Sequence, residues 1–212
     1  MRVIASLVAL LAANGASAAD PALRETLEAR IAQVQKDGAA RARAIAQGRD
    51  HAVLCAYCHG PDGNSDKPEI PNLAAQNPVY LLEQIERFAD GRREDYTRVM
   101  QRLAASLSAE ERLALVVYYA SAPLTPARAD IGKAQVGLPV YLRRCQSCHG
   151  HDGNGVAGYA RLAGQQPGYL IQTLRAYRDR TGGRLSPEMD VVTRGLTDEE
   201  IAALATYLAN LR

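Results

Sequence analysis

Two five-residue segments hold all four cysteines of the chain and two of its four histidines. They are Cys55-Ala56-Tyr57-Cys58-His59 and Cys145-Gln146-Ser147-Cys148-His149. On a helix, residues three and four positions apart lie on one face, so two thiols and an imidazole in this spacing can address one ligand together. The pattern C-x-x-C-H is the attachment signature of a c-type haem, in which the thiols bond the two vinyl groups and the histidine reaches the iron.

Paired cysteines have three other common uses in proteins. Export would permit disulfides, two C-x-x-C pairs could form one four-cysteine zinc site, and each pair could be a redox-active dithiol. None of these needs a histidine directly after the second cysteine, and this chain has one in both segments. We therefore predict two covalently bound haem c groups, attached through four thioethers and ligated by two histidines. The attachment residues are Cys55, Cys58, Cys145 and Cys148, and the iron ligands are His59 and His149.

The N-terminus has the features of a secretory signal peptide over residues 1–19. Arg2 supplies a positive charge, the stretch from Val3 to Ala13 is apolar except for Ser6, and Ala16-Ser17-Ala18 is a small-residue cleavage site. The apolar stretch is well below the roughly 20 residues that a transmembrane helix needs. The sequence therefore predicts a cleaved signal and a periplasmic mature protein.

Hydrophobic periodicity and helix-start signals predict an all-α fold. An amphipathic helix is expected over Pro21–Lys36, and Asp37-Gly38 should interrupt it before a second helical stretch over 39–56. Leu107-Ser108-Ala109-Glu110-Glu111 and Leu196-Thr197-Asp198-Glu199-Glu200 each predict an N-cap and a capping box. Further helices are expected over about 79–90, 168–179, 109–120 and 198–211. The early helix is expected to pack on its own domain; a dimer or partner contact is the alternative.

The chain is an internal duplication with a period of about 90 residues, the separation of Cys55 and Cys145. The two halves also share the segments Leu73–Gln76 and Leu162–Gln165, and Ala122-Pro123-Leu124-Thr125-Pro126 marks the join. The predicted units are a signal peptide (1–19), an N-terminal helical extension (20–40), a first domain (41–122), a linker (123–130) and a second domain (131–212).

Two methionines remain once Met1 is removed with the signal, and they occupy matching places in the two repeats. Met100 follows His59 by 41 residues, and Met189 follows His149 by 40. Thioether sulfur suits the iron of a high-potential haem carrier, so we predict both as axial ligands, with core packing as the ordinary alternative. His51 and His151 have no ligating counterpart in the other repeat and are expected to be solvated.

These features together resemble a dihaem class I cytochrome c, and most closely the cytochrome c4 family. The resemblance covers about residue 45 to the end. It implies two tandem class I cytochrome c domains, each wrapped around one haem with histidine–methionine iron. In such domains a proline carbonyl about twelve residues after the haem histidine accepts a hydrogen bond from that histidine; Pro71 fits this place, whereas the second half has Ala160 and Arg161 there. The bulky, polar lead-in Asp95–Val99 and the early helix also depart from the family pattern.

The predicted function is one-electron transfer without substrate conversion, between a quinol-oxidising or dehydrogenase donor and a terminal oxidase. Partners would be redox proteins that dock briefly, the protein would be a monomer or weak dimer, and loose membrane association stays open. The sequence has no basic run with interleaved aromatic residues, which is the pattern that would indicate nucleic-acid binding. The alternatives are an electron-transfer subunit of a periplasmic dehydrogenase, a dihaem peroxidase-like enzyme with one open iron, and a haem-free disulfide or zinc module.

Overall fold

The structure is a computed structural model that describes residues 21–129, 134–156, 158–184 and 186–212. The predicted signal peptide and the junction between linker and second domain lie outside these residues. The described part contains helices and loops and no strand, which agrees with the all-α prediction. Its helices are α1 (Pro21–Lys36), α2 (Gly38–His51), α3 (Val53–His59), α4 (Pro78–Ala89), α5 (Val99–Ser106), α6 (Ala109–Ser121), α7 (Ala134–Arg144), α8 (Gln146–His149), α9 (Pro167–Asp179), α10 (Pro187–Thr193) and α11 (Asp198–Asn210).

Each half is organised around its closing helix. In the first half α6 packs across α2 and against α4, and in the second half α11 packs across α7 and against α9. The α6 segment from Arg112 to Tyr119 is buried throughout, and Ile201, Leu204 and Leu208 of α11 are each at most 2% exposed. Each closing helix thus supplies much of the apolar core of its own half.

The two main helix crossings are made close by a glycine in the same place of each repeat. A Cβ built on Gly48 of α2 would overlap the carbonyl oxygen of Ala114 and lie 2.5 Å from the Cβ of Tyr118. A Cβ on Gly137 of α7 would likewise overlap the carbonyl oxygen of Ala203. The missing side chain therefore lets two helix backbones touch, which larger residues prevent.

The helix-start predictions are confirmed. The Asp37 side chain accepts hydrogen bonds from the N–H groups of Ala39 and Ala40 and separates α1 from α2. The Ser108–Glu111 and Thr197–Glu200 capping boxes are both formed. One detail differs, because the predicted helix over 39–56 is broken at Ala52, and a separate helix, α3, carries the first cysteine–histidine segment.

Helix α1 packs on its own half, as expected. Leu27 and Ile31 are 1% exposed within the first core, and the Arg30 guanidinium donates two hydrogen bonds to the Glu110 carboxylate of α6. The apolar face of α1 that periodicity predicts therefore packs against the core of the first half. Within the described residues, no helix combines the length and the hydropathy needed to cross a membrane.

Candidate haem sites and the contact between the two halves

The two predicted iron-binding histidines are buried, and one ring nitrogen of each is already bonded. Nδ1 of His59 lies 2.9 Å from the carbonyl oxygen of Pro71, and Nδ1 of His149 lies 2.8 Å from that of Ala160. Because a carbonyl can only accept, the proton sits on Nδ1 and the lone pair is on Nε2. Burial lowers the pKa of both imidazoles, against the effect of these hydrogen bonds. Each histidine is therefore held as the neutral tautomer that ligates a metal through Nε2.

The four cysteines are half-buried, unpaired thiols. Burial raises the pKa of the Cys55 thiol and raises that of Cys145 to about 11, so both stay protonated at neutral pH. Among the described residues, no group of three or more His, Cys, Asp and Glu side chains is arranged to hold a metal ion. This arrangement is unlike a four-cysteine zinc site, and it suits two separate thioether attachments beside a histidine.

Met100 lies at the start of α5, on a turn organised by Asp95. The Asp95 carboxylate accepts hydrogen bonds from the N–H groups of Met100 (3.0 Å) and Thr97 (3.1 Å) and from the Thr97 hydroxyl. Burial opposes ionisation here, but these hydrogen bonds outweigh it and lower the pKa of Asp95. Arg98, in the left-handed conformation at φ 56°, then starts α5. The polar segment Asp95–Val99 therefore fixes the backbone at Met100 through the Asp95 carboxylate.

Met189 lies in the first turn of α10, which is capped by Ser186. Its side chain is half-buried and packs on the second core, and α10 packs on α9 just as α5 packs on α4. The two methionines therefore occupy equivalent elements in the two halves. The other two histidines lie elsewhere: His51 faces Glu111 at 3.5 Å, and the exposed His151 lies 3.5 Å from the Gln146 side-chain oxygen.

The two halves contact each other through a reciprocal pair of glutamines. Gln165 Oε1 accepts from the N–H of Asn72 (2.7 Å), and its Nε2 donates to the carbonyl of Asn72 (3.0 Å). Gln76 Oε1 accepts from the N–H of Arg161 (2.6 Å), and its Nε2 donates to the carbonyl of Arg161 (2.9 Å). Both glutamines are 5% exposed. Because residues 72 and 161 are 89 positions apart, like residues 76 and 165, the contact has local two-fold symmetry. We call these two interactions the glutamine clamps.

A second set of contacts surrounds the clamp formed by Gln165. The Asn72 side chain donates to the carbonyl of Gly164 and accepts from the N–H of Ser65. Nε2 of Gln166 donates to the carbonyl of Ser65 (2.6 Å) and to Oδ1 of Asn72 (3.2 Å). The contact between the halves is consequently polar, buried and hydrogen-bonded on both sides.

A buried cluster of arginine and tyrosine also bridges the halves. The Arg184 guanidinium donates to the phenol oxygens of Tyr177 (2.9 Å), Tyr80 (2.9 Å) and Tyr169 (3.0 Å), and Arg93 donates to Tyr169 (3.3 Å). Burial alone would raise the pKa of Tyr169, yet the two guanidinium groups lower it to about 7. The ion pairs among the described residues include neither Arg93 nor Arg184. A buried cationic cluster of this kind fits the carboxylates of haem propionates.

The surfaces around the two C-x-x-C-H motifs differ in chemistry; residues 53–59 and 143–149 are called the first and second haem-motif segments. In the first half Val53, Leu54 and Tyr57 are 71%, 67% and 84% exposed. The residues 90 positions later are Arg143, Arg144 and Ser147. The first segment therefore presents apolar groups and the second presents positive charge.

Sequence reasoning missed the roles of the glutamine clamps, the arginine–tyrosine cluster and Asp95. The one signal available for the clamps was that Gln76 and Gln165 recur at the same place in both repeats. In the second half, which has no proline at the corresponding place, the Ala160 carbonyl takes the hydrogen bond of the histidine.

Comparison with known proteins agrees with this geometry. The chain is 35% identical over 173 residues to cytochrome c4 of Thiocapsa roseopersicina, a match that covers 74% of this chain and 87% of the relative. The chain belongs to the cytochrome c4 family. A family model for cytochrome c matches residues 134–212. The crystal structure of reduced recombinant cytochrome c4 from Pseudomonas stutzeri superimposes with a TM-score of 0.71 at 28% identity, covering 78% of this chain and 97% of that one.

A further relative, named thiosulfate dehydrogenase electron acceptor, comes from Stutzerimonas stutzeri (strain A1501). It is 41% identical over 177 residues, which cover 76% of this chain and 80% of the relative. Family membership and the fold make this chain a class I cytochrome c protein with two covalently bound haem c groups. It is an electron-transfer protein rather than an enzyme, and its partners are redox proteins.

Proposed function

We propose that the protein is a periplasmic one-electron carrier that takes electrons from a quinol-oxidising enzyme or a dehydrogenase and passes them to a terminal oxidase. The observation that carries this proposal is the matched pair of sites. In each half a neutral, buried histidine has a free Nε2 beside two thiols, and a methionine lies on an equivalent helix. A carrier needs both axial positions of each iron filled, whereas a peroxidase-like enzyme needs one iron with an open position.

Each residue has a defined part in this proposal. The thiols of Cys55 and Cys58, and those of Cys145 and Cys148, hold the haems covalently. His59 with Met100, and His149 with Met189, supply the two axial ligand pairs. The haem supplies one-electron exchange between Fe(II) and Fe(III). The buried imidazoles and packed helices keep water away and change little between the two oxidation states.

The two haem-motif segments are suited to different partners. The arginines of the second haem-motif segment favour a partner with an acidic surface, because opposite charges accelerate encounter. The Arg143 side chain is 58% exposed and forms one long ion pair, with the Glu200 carboxylate at 3.8 Å. The first segment is mainly apolar and has an ammonium group beside it, that of Lys67, over the Tyr57 ring. Donor and acceptor can thus be distinguished by which of the two segments they approach.

The test is the optical spectrum of the periplasmically matured protein, with haem counted as the pyridine complex. We expect two haems per chain and a far-red charge-transfer band that weakens in both Met100→Ala and Met189→Ala. His51→Ala and His151→Ala are matched controls and should leave the band unchanged. A high-spin iron in the wild-type protein, or a band that survives both methionine substitutions, would refute the histidine–methionine assignment.

A second candidate function is that of a dedicated acceptor for a periplasmic dehydrogenase. The 41% identity to the thiosulfate dehydrogenase electron acceptor favours it. Purified thiosulfate dehydrogenase, supplied with thiosulfate, should then reduce the oxidised protein rapidly at low protein concentration and form a complex with it in gel filtration. Slow reduction without complex formation would leave the general carrier as the function.

A further inference from the structure

We propose that each glutamine clamp tunes the iron ligand of the opposite half. Gln165, in the second half, would act on His59, and Gln76, in the first half, would act on His149. Both are positioning residues that act through one peptide unit. The inference rests on the proposed ligation by these histidines and adds a means by which each half sets the reduction potential of the other.

The geometry is a continuous line of hydrogen bonds through one peptide group. The Pro71–Asn72 peptide accepts from His59 Nδ1 at its carbonyl (2.9 Å) and donates from its N–H to Gln165 Oε1 (2.7 Å). The glutamine therefore touches the far side of the same amide that holds the histidine. The interaction begins in one half and ends in the other.

The second half repeats this line with different side chains. The Ala160–Arg161 peptide accepts from His149 Nδ1 (2.8 Å) and donates to Gln76 Oε1 (2.6 Å). Proline and asparagine are replaced by alanine and arginine, yet the line is unchanged because these four residues contribute only main-chain atoms to it. Its recurrence in both halves argues against an accidental contact.

The direction of the effect follows from polarisation. An amide whose N–H is donated to an acceptor carries more negative charge on its carbonyl oxygen, and buried chains of hydrogen bonds strengthen one another in this way. A stronger bond to Nδ1–H makes the imidazole a more basic ligand, which favours Fe(III). Each clamp should therefore lower the potential of the haem in the opposite half. Asn72, His59 and Gln165 are 2%, 6% and 5% exposed, so water does not compete for these bonds.

The experiment replaces one glutamine and follows both haems. In Gln165→Leu we expect the His59 haem to shift towards Fe(II) by about twofold to fivefold in its reduction equilibrium, or about 20–40 mV at 59 mV per tenfold change. The His149 haem should not move. Gln76→Leu should give the reverse pattern. The two haems are followed separately through their hyperfine-shifted NMR signals during a redox titration.

Gln166→Leu is the matched control. Gln166 also makes two hydrogen bonds across the contact and is 9% exposed, but it bonds the Ser65 carbonyl and the Asn72 side chain rather than the bridging peptide. It should therefore move neither potential. A shift as large in Gln166→Leu as in Gln165→Leu would show a general effect of loosening the contact and overturn the proposal. A shift confined to the half that carries the substitution, or no shift at all, would overturn it equally.

Gln165→Glu keeps the test decisive if the leucine variants do not fold. This substitution keeps the acceptor atom facing the Asn72 N–H and loses only the donor to the Asn72 carbonyl. The His59 haem should then keep its potential or fall below it, and a rise of the size expected for leucine would contradict the proposal. Failure of the histidine ligation itself is recognised separately, because the wild-type optical spectrum would then show a high-spin iron instead of two low-spin haems.

Discussion

A glycine-to-alanine change at the first helix crossing tests how closely the two helices must approach. In Gly48→Ala the added methyl group overlaps the Ala114 carbonyl oxygen and lies 2.5 Å from the Tyr118 Cβ. Both are atoms of α6 that cannot move without displacing the helix. Overpacking of this kind costs about 1–3 kcal/mol, and a rigid backbone contact belongs at the upper end. Alanine regains about 1 kcal/mol of helix propensity. We therefore expect a net loss of about 2 kcal/mol, and a fall in Tm of about 4–8 °C for a chain of this size.

The same helix provides the control. Gly38 is the first residue of α2, and a Cβ built there meets nothing within 4 Å. Gly38→Ala should leave stability unchanged or raise it by about 0.4–1 kcal/mol, because the unfolded chain loses freedom. The assay is thermal and urea unfolding of the holoprotein, followed by far-UV circular dichroism. A Gly48→Ala protein as stable as Gly38→Ala would refute the account of the crossing.

Three further predictions follow from single contacts. Glu86 is 1% exposed and burial raises its pKa, so the folded protein binds this proton more tightly than the unfolded chain does and gains stability as the pH falls through the raised pKa. Glu86→Gln should therefore stabilise the protein by about 1 kcal/mol at pH 7. Urea titrations at lower pH should show the stability difference between the two proteins closing, and an unchanged difference would contradict the assignment. Thr197→Ala and Ser108→Ala should each cost about 1 kcal/mol in urea unfolding, because each removes an N-cap, and a neutral result would mean that the capping box contributes nothing. Ferricyanide is an anion and should oxidise the second haem faster than the first at low salt. Arg143→Gln should reduce this preference, and high salt should abolish it. A preference that does not depend on salt would argue against charge as its cause.

Local features of the fold could be predicted because they depend on neighbouring residues. The two capping boxes and the helix α1 follow from spacings of three and four residues, and the interruption at Asp37-Gly38 follows from its turn residues; all are present. The break at Ala52 was not predicted, because no proline or glycine marks it. There α2 ends at His51, and α3, which carries Cys55, Cys58 and His59, begins at Val53.

The contacts between the halves could not be predicted, because they depend on how two domains meet. Gln76 and Gln165 appeared only as parts of a repeated segment, and a glutamine in a loop gives no sign of its partner. Arg184 and Tyr80 are 104 positions apart and are joined by one hydrogen bond of 2.9 Å. Within the second half, the bond from His149 to the Ala160 carbonyl could not be predicted either, since a main-chain acceptor leaves no trace in the residue type.

The glutamine clamps have a consequence for how such a chain can arise and diverge. Each clamp reads only main-chain atoms of the opposite half, so the residues at 71 and 72 could become proline and asparagine in one copy, and alanine and arginine could occupy 160 and 161 in the other, without loss of the contact. A reciprocal contact of this symmetry is also the kind that two identical copies of a single domain form as a dimer. Joining the copies in one chain makes their association independent of protein concentration. The single chain thus keeps the geometry of a symmetric dimer while each half presents its own surface to a partner.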